Sequence, residues 1–423
     1  MNVENEFVDK REWMPVEERE RYLVDKFREV TTHAYKFAPA IKKKFDEAGV
    51  HPSEIKSIKD LERVPTTKRD EFIKMQRENP PFGGFLTVHH NELKRIYIHP
   101  GPQYETLVDS DIEHAAIAVH KAGVRRGDIV INAVSYHLVV AGLLVDDALV
   151  SMGATVVPTG SGNTDLQVQI MYDLGVTYFV GFPLFLWNVI KRAEELGYDF
   201  KRDFLLKRAL ALGSSPVRKS LEEDYEIDTR EIYAFLPVGI PAAECDEKSG
   251  MHILEDFIVE VADPVTGKQL PCGEVGEITV TTLFNDVLPR IRFGSGDLGY
   301  CTDDPCPCGR TATRIVKIVG RVGEGVKTRG MFIHPSEVED VVSKLPGVSK
   351  FQVTVGHAQM RDSISAKFEL KDETVDKEAL ADAFKKDFQS RCRLRVDTIE
   401  FVPTGTIPND AQKLVDARKE IIL

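Results

Sequence analysis

The sequence predicts an α/β protein with a large N-terminal α/β domain that contains an antiparallel β subdomain, and a small α+β C-terminal domain. The chain has 423 residues, more than the roughly 100–200 residues of a usual domain. Helix-like and strand-like runs alternate through its middle, and short strands broken by turns follow from about residue 253. The last part alternates helices and strands again, which indicates a second, smaller domain.

The first elements are predicted to be helices. Between residues 15 and 60, apolar side chains such as Val16, Leu23, Phe27 and Val30 recur at intervals of three or four residues, the period of an amphipathic helix. The segment 64–68 contains a proline and two threonines. It is expected to end this region as a turn or an extended segment.

A βαβ rhythm follows. Helices are predicted at 112–122, 142–151, 166–172 and 184–196, and buried strands at 128–133, 155–158 and 178–180. Strands that alternate with helices in this way form a parallel sheet with crossover helices.

Short strands at 258–261, 277–282 and 314–319 predict the antiparallel β subdomain. Beyond them, helices are expected at 335–345 and 377–388, and strands at 350–357, 363–369 and 399–401. The glycine-rich run 320–325 lies between these parts and suits a hinge. We therefore divide the chain into domains 1–320 and 321–423.

Charge and hydropathy exclude several classes of protein. Lys and Arg total 55 against 67 Asp and Glu, a net charge of −12 without a basic patch, which disfavours a nucleic-acid partner. No stretch reaches the roughly 18 apolar residues that a membrane span needs. The N-terminus is polar without a signal-like apolar region. A cytoplasmic protein with reduced cysteines is expected.

One group of residues has the composition of a metal site. Cys245 and His252, with Cys306 and Cys308, supply three thiolates and an imidazole, the ligands of a tetrahedral structural zinc ion. The alternative is four buried residues without a metal, because the Cys-x-Cys spacing is shorter than in the commonest zinc ribbons. The other cysteines have no partner pattern and are predicted to be small core residues: Cys272, Cys301 and Cys392.

Several segments together resemble the phenylacetate–coenzyme A ligase family of the adenylate-forming superfamily, over roughly residues 60–416. No single segment is specific for the family, but the common order and spacing of the segments are. The segments are Pro65-Thr66-Thr67-Lys68, Gly127-Asp128-Ile129-Val130, Gly153-Ala154-Thr155-Val156-Val157-Pro158, Gly162-Asn163-Thr164, Glu274-Val275-Gly276-Glu277, Thr281-Thr282-Leu283, Leu288-Pro289, Ile291-Arg292, Cys306-Pro307-Cys308-Gly309-Arg310, Gly320-Arg321, Arg329-Gly330 and Pro335-Ser336.

The resemblance implies an AMP-forming acid–thiol ligase. Such ligases join an acid, here an aryl or small carboxylic acid, to ATP with magnesium. They then pass the acyl group from the acyl-adenylate to coenzyme A. The resemblance also implies the adenylate-forming architecture, in which a mobile C-terminal domain rotates between the two half-reactions. It is compatible with a structural zinc ion. It is also compatible with a protein that forms a homodimer or is a subunit of a larger complex.

The resemblance assigns nucleotide-binding roles in the large domain. Asp297 matches the aspartate that binds the ribose hydroxyls, and Tyr233 matches the aromatic residue that stacks on adenine. Arg321 lies where the family places its hinge and is assigned to the nucleotide site. The nucleotide-site turn is matched by Gly213, Ser214 and Ser215. Read without the resemblance, Asp297 is a turn aspartate between glycines.

Catalysis and acid binding are assigned in the same way. Lys413 stands five residues after Pro408, the place of the family's mobile catalytic lysine, although it is also one of several charges in a C-terminal tail. His137 and Phe182 match the region that lines the acid pocket. A hydrogen-bonded core histidine is the alternative for His137.

Two parts of the family's machinery are absent. The phosphate loop corresponds to residues 98–106, which contain two prolines, no lysine and Glu105. Prolines donate no backbone N–H, and the carboxylate of Glu105 is expected to repel a triphosphate. The magnesium-binding glutamate is replaced by Pro237. Two alternatives therefore stay open: a non-catalytic scaffold or regulatory subunit, and an enzyme that uses a preformed adenylate.

Overall fold

The computed structural model describes residues 9–99, 103–213, 215–322, 325–328, 331–333, 335–358, 361–372, 374–392 and 394–418. The chain forms two compact units. The first holds the residues up to Glu274 with Ile278–Ser295 and Tyr300–Lys317, and the second holds Val275–Glu277, Gly296–Gly299 and the chain from Ile318 onward. Within the described residues, no helix combines the length and the apolar character that crossing a membrane requires.

The N-terminal region is helical, as its periodicity predicts. Its helices are α1 (Val16–Phe37), α2 (Pro39–Ala48) and α3 (Arg69–Glu78). Helix α1 buries Phe27, Val30, Thr31 and Ala34, which lie on one face at helical spacing. Short 3-10 helices occur at Lys10–Trp13, Pro52–Glu54, Lys59–Arg63 and His90–Glu92.

A two-stranded antiparallel hairpin follows, formed by β1 (Ile96–His99) and β2 (Gln103–Thr106). Tyr97 pairs with Glu105 across the hairpin. Of the segment that corresponds to the phosphate loop, residues 98–99 lie in β1 and residues 103–106 lie in β2.

The predicted βαβ region forms the parallel half of a large sheet. Its elements are α4 (Asp109–Lys121), β3 (Ile129–Asn132), α5 (Val140–Ser151), β4 (Thr155–Val157), α6 (Thr164–Leu174), β5 (Tyr178–Gly181), α7 (Pro183–Glu195), α8 (Phe200–Asp203), β6 (Arg208–Leu212), α9 (Arg218–Glu223) and β7 (Asp228–Phe235). Strand β3 pairs in parallel with β4 and β5, and β5, β6 and β7 follow in parallel. All four residues of β5 are buried, as expected for a strand covered on both faces.

The antiparallel strands extend this same sheet. They are β8 (Gly239–Glu244), β9 (Met251–Ile253), β10 (Phe257–Ala262), β11 (Gly276–Thr282), β12 (Phe293–Thr302) and β13 (Arg314–Arg321). The order is β10-β11-β12-β13-β9-β8-β7-β6-β5-β3-β4. The chain reverses direction between β7 and β8, which pair antiparallel. The predicted antiparallel subdomain is thus the second half of one mixed sheet and not a separate layer.

The second unit is a small α+β domain. Its main elements are β14 (Val326–Thr328), β15 (Met331–Ile333), α10 (Pro335–Val342), β16 (Val348–Ala358), β17 (Arg361–Leu370), α11 (Lys377–Cys392), β18 (Thr398–Val402) and β19 (Leu414–Asp416). Strands β16 to β19 form a sheet in the order β18-β17-β16-β19. Its core includes Val353, Ile364, Phe368, Phe384 and Phe388.

Candidate functional site

The predicted metal ligands come together. Cys245 directly follows β8, His252 lies in β9, and Cys306 and Cys308 follow β12. Strands β8 and β9 pair antiparallel, and β9 pairs with β13, so residues far apart in the chain meet at one place. Their four ligand atoms all lie within 4.8 Å of one another.

The distances suit a tetrahedral ion. The sulfur atoms of Cys245 and Cys306 are 3.8 Å apart, and the sulfur of Cys308 is 3.4 Å from Nε2 of His252. Two thiolates bound to zinc at about 2.3 Å in a tetrahedron lie about 3.8 Å apart. A thiolate and an imidazole lie slightly closer, because the Zn–N bond is shorter.

The surroundings of His252 favour the neutral imidazole with Nε2 free to bind a metal. Its Nδ1–H donates to the carbonyl of Ala312 at 3.3 Å, which leaves the Nε2 lone pair directed at the cluster. Burial lowers the pKa of His252 to about 4, and the charges of Lys121 and Arg310 act in the same direction. The imidazole is therefore neutral at pH 7, the form that binds metal.

Several of the residues assigned to the nucleotide and the acid lie at, or just beyond, the carboxyl ends of neighbouring parallel strands. Gly213 follows β6 and Tyr233 lies near the end of β7, and the pairing of Leu212 with Ile232 sets these two residues side by side. In open α/β sheets, ligands bind in the crevice at this edge. Tyr233 is 5% exposed. Ser214 lies outside the described residues.

The turn around these residues is built from local contacts. Gly213 has a φ of +86°, a conformation that favours glycine. The carbonyl of Ser215 accepts a hydrogen bond from the backbone N–H of Arg218 at 3.2 Å. That bond begins the turn that leads into α9.

The residues assigned to the acid pocket occupy the same edge. His137 follows β3, and Phe182 directly follows β5. His137 is exposed, so the alternative of a core histidine is wrong. Phe182 is also exposed, at 59%. Leu138 and Leu184, which sequence reasoning missed, are exposed apolar neighbours of these two residues.

Asn132 fixes the turn that carries His137. Its side-chain amide donates to the Tyr136 hydroxyl at 2.7 Å and to the carbonyl of Gly142 at 3.0 Å. The Tyr136 hydroxyl donates in turn to Asp146 at 2.6 Å. A buried asparagine at the end of a strand, followed by Ser-Tyr-His, was the signal that could have identified this support.

Asp297 and Arg321 form an ion pair. Nε of Arg321 is 3.2 Å from Oδ1 of Asp297. Glu277 accepts the backbone N–H of Gly296 at 3.0 Å, and Gly296 has a φ of +77°, so the residue before Asp297 requires glycine. The structure thus brings together two residues that the sequence assigned to the nucleotide. Gly323, in the glycine-rich run predicted to be a hinge, lies outside the described residues.

Lys413 immediately precedes β19, and its carbonyl accepts the backbone N–H of Val353 at 2.9 Å. Its Nζ is 2.7 Å from Oε1 of Glu339 in α10, and the side chain is 51% exposed. The backbone of Lys413 is therefore held by a sheet and does not belong to a free charged tail.

The hairpin in place of the phosphate loop places Glu105 differently from expectation. Glu105 is 1% exposed, and the Gln103 amide donates to it at 2.7 Å. Burial raises its pKa to about 7, against the charge of Arg290. The expectation that this carboxylate faces a triphosphate is wrong, because strand alternation turns the side chain inward. Pro100, Gly101 and Pro102 lie outside the described residues.

Magnesium does not fit the family position. Pro237 stands where the family carries its glutamate, between β7 and β8, and its side chain has no oxygen. This position therefore offers no side-chain ligand to a magnesium ion.

Two further cysteines lie side by side. The sulfur atoms of Cys272 and Cys301 are 2.8 Å apart, and Cys272 is exposed. The prediction that Cys272 is a core residue is wrong, because the segment before β11 runs along β12, where Gly273 N–H donates to the Cys301 carbonyl at 2.8 Å. Cys392 is buried, as predicted.

Comparison with known proteins gives the family. The family model described as "AMP-binding enzyme C-terminal domain" matches residues 330–418. Phenylacetate-coenzyme A ligase of Aromatoleum evansii is 32% identical, over 85% of this chain and 84% of that protein. The chain belongs to the phenylacetate–coenzyme A ligase family. The enzyme of the same name from Thermus thermophilus is 28% identical over 96% of this chain and 98% of its own length.

A solved structure agrees over nearly the whole chain. An open conformation of 2-hydroxyisobutyryl-CoA ligase in complex with 2-HIB-AMP and CoA has a TM-score of 0.85 and 26% identity, over 96% of this chain and 93% of that one. The phenylacetate–coenzyme A ligase family consists of AMP-forming acid–CoA ligases, and this is the class of activity to which the chain belongs. The non-catalytic alternative is not favoured.

Proposed function

We propose that this family member activates an aryl or other small carboxylic acid as its acyl-adenylate and transfers the acyl group to coenzyme A. The observation that carries the proposal is the position of His137, Phe182, Gly213 and Tyr233 at, or just beyond, the carboxyl ends of four strands of one sheet. This edge is where α/β folds bind ligands. The exposed apolar side chains of Phe182, Leu138 and Leu184 suit an acid with an aryl or small apolar group.

The nucleotide roles follow from the chemistry of the side chains. The Asp297 carboxylate can accept both ribose hydroxyl protons, and Arg321 orients it. The Tyr233 ring and the Gly213 turn would border the adenine. Lys413 would supply a mobile positive charge between the acid carboxylate and the α-phosphate, a role that suits a compact ammonium on a long stem.

We propose a structural zinc ion at Cys245, His252, Cys306 and Cys308. Four protein ligands would close the coordination sphere, so the ion would leave no position for a reactive water. It would tie the end of β8 and strand β9 to the segment after β12. The alternative, four residues without a metal, predicts no zinc in the purified protein.

The decisive experiment measures pyrophosphate release and thioester formation. Protein is incubated with ATP–magnesium, coenzyme A and a panel of aryl and short acyl acids. Acid-dependent pyrophosphate release is expected, with loss of activity in Asp297→Asn. Absence of nucleotide binding at millimolar concentration, measured by titration calorimetry, would contradict the proposal. Thioester formation from a synthetic acyl-adenylate without ATP turnover would instead support the use of a preformed adenylate.

Three further expectations stay predictions, and each needs a separate measurement. They are a domain boundary between residues 320 and 321 with a rotating C-terminal domain, a cytoplasmic location that keeps the cysteines reduced, and a homodimer or a larger complex. Light scattering of the purified protein tests the last of these.

A further inference from the structure

Cys272 and Cys301 are the strongest chemistry-bearing pair outside the site described above. Their sulfur atoms are 2.8 Å apart, closer than two unbonded sulfurs rest and approaching the S–S bond length of about 2.05 Å. The backbone holds them there, because Gly273 N–H donates to the carbonyl of Cys301 at 2.8 Å. The two thiols therefore need little movement to bond.

The pair is separate from the metal cluster. Among the described residues, the group whose ligand atoms could hold a metal contains Cys245, Cys306 and Cys308 but neither Cys272 nor Cys301. Both cysteines line a cavity of about 720 Å³. Ser249, on the wall of the same cavity, has its hydroxyl 3.6 Å from the sulfur of Cys306.

Cys272 of the pair is accessible, whereas Cys301 is buried, and the pKa values of the two thiols are shifted in opposite directions. Cys272 is exposed, so a dissolved reagent can reach it. The hydrogen bond between the two sulfurs raises the pKa of Cys272 and lowers that of Cys301. Two adjacent thiols, one of them open to solvent, are the arrangement that thiol–disulfide exchange uses.

We propose that Cys272 and Cys301 form a redox-active dithiol site that a low-molecular-weight disulfide converts reversibly to an intramolecular disulfide. In the first exchange, one cysteine sulfur attacks the reagent, breaks its S–S bond and releases one thiol. The second cysteine sulfur then attacks the mixed disulfide, forms the Cys272–Cys301 bond and displaces the second thiol. The protein loses two electrons and two protons, and the reagent gains them. Asp303 and Asp304 line the cavity together with the cation Arg314, so the lining carries a net negative charge and a neutral disulfide is preferred to an anionic one.

The test uses the full chain with its native metal content and an excess of 2-hydroxyethyl disulfide. Remaining thiols are alkylated, and the intact mass is measured. We expect two of the six cysteines to become protected from alkylation, a Cys272–Cys301 cross-link in the non-reducing peptide map, and full reversal by dithiothreitol. The zinc content should not change.

The matched variants are Cys272→Ser, Cys301→Ser and, as a control, Cys392→Ser. The first two should stop at a mixed disulfide or remain unreacted, whereas the control should lose two alkylatable thiols like the wild type. If the serine variants fail to fold, titration of the wild type with phenylarsine oxide replaces them, and about one equivalent should bind and block the disulfide.

Three results of the disulfide experiment would overturn the proposal. They are a stable mixed disulfide on wild-type Cys272, six alkylatable thiols after exposure to the reagent, and a cross-link through Cys306 with release of zinc. The third result would assign the reactivity to the metal cluster. No binding of phenylarsine oxide would count equally against the dithiol.

Discussion

Glu105→Gln tests the buried carboxylate of the hairpin that replaces the phosphate loop. Glu105 is 1% exposed, and burial raises its pKa from 4.5 to about 7. The folded protein therefore binds more protons than the unfolded chain between these values, and stability falls as the pH rises through this window. Between pH 5 and pH 8 the loss is about 2.5 kcal/mol. Glutamine keeps the shape without the titration.

The assay is thermal unfolding of the wild type and Glu105→Gln from pH 5 to pH 8. The Tm of Glu105→Gln should rise relative to the wild type by about 4 °C over this interval, for a unit of this size. Glu113→Gln, an exposed position on α4, should follow the wild type at every pH. Parallel pH profiles for the wild type and Glu105→Gln would refute the assignment of a raised pKa to this carboxyl group.

The remaining predictions concern the metal, the nucleotide and the lysine. Cys306→Ser should abolish zinc binding, measured by metal analysis, and remove a stabilisation of about 4 kcal/mol at a thousandfold excess of metal over Kd, whereas Cys392→Ser should retain the metal. Asp297→Asn should weaken AMP binding about tenfold in calorimetry, since a hydrogen bond to a charged group contributes roughly 1.5–3 kcal/mol. Lys413→Ala should slow pyrophosphate release by about 10²–10³ but leave thioester formation from a synthetic acyl-adenylate unchanged. Lys385→Ala, an exposed position on α11, is its control, and an equal loss in both half-reactions would contradict the role of Lys413.

Local sequence patterns predicted most of the fold. The three-to-four-residue spacing of Phe27, Val30 and Ala34 matches the buried face of α1, and the alternation of strands and helices matches the parallel half of the sheet. These signals depend on neighbouring residues. The Cys/His cluster could also be predicted, because the Cys-x-Cys spacing fixes two of its members locally.

Long-range pairings could not be predicted. The charge of Arg290 acts on Glu105, and Cys272 lies against Cys301, only because segments far apart in the chain come together in the folded unit. The same limit applies to the antiparallel subdomain, whose strands join the parallel ones through the β7–β8 reversal. Asp256 is another example of a long-range pairing. Its carboxylate accepts a hydrogen bond from Arg11 at 2.8 Å and lies 2.9 Å from Nε2 of His114. Sequence spacing carries no information on which distant residue will face a buried charge.

The ion pair between Lys413 and Glu339 has a kinetic consequence. Both side chains are about half exposed, and an exposed pair contributes at most about 1 kcal/mol. At that strength, about one molecule in six carries an unpaired lysine at any moment. Exposed side chains change rotamer within nanoseconds, whereas enzymes typically turn over about 1–10³ times per second. Glu339 therefore gives the lysine a resting position without limiting how often it can leave.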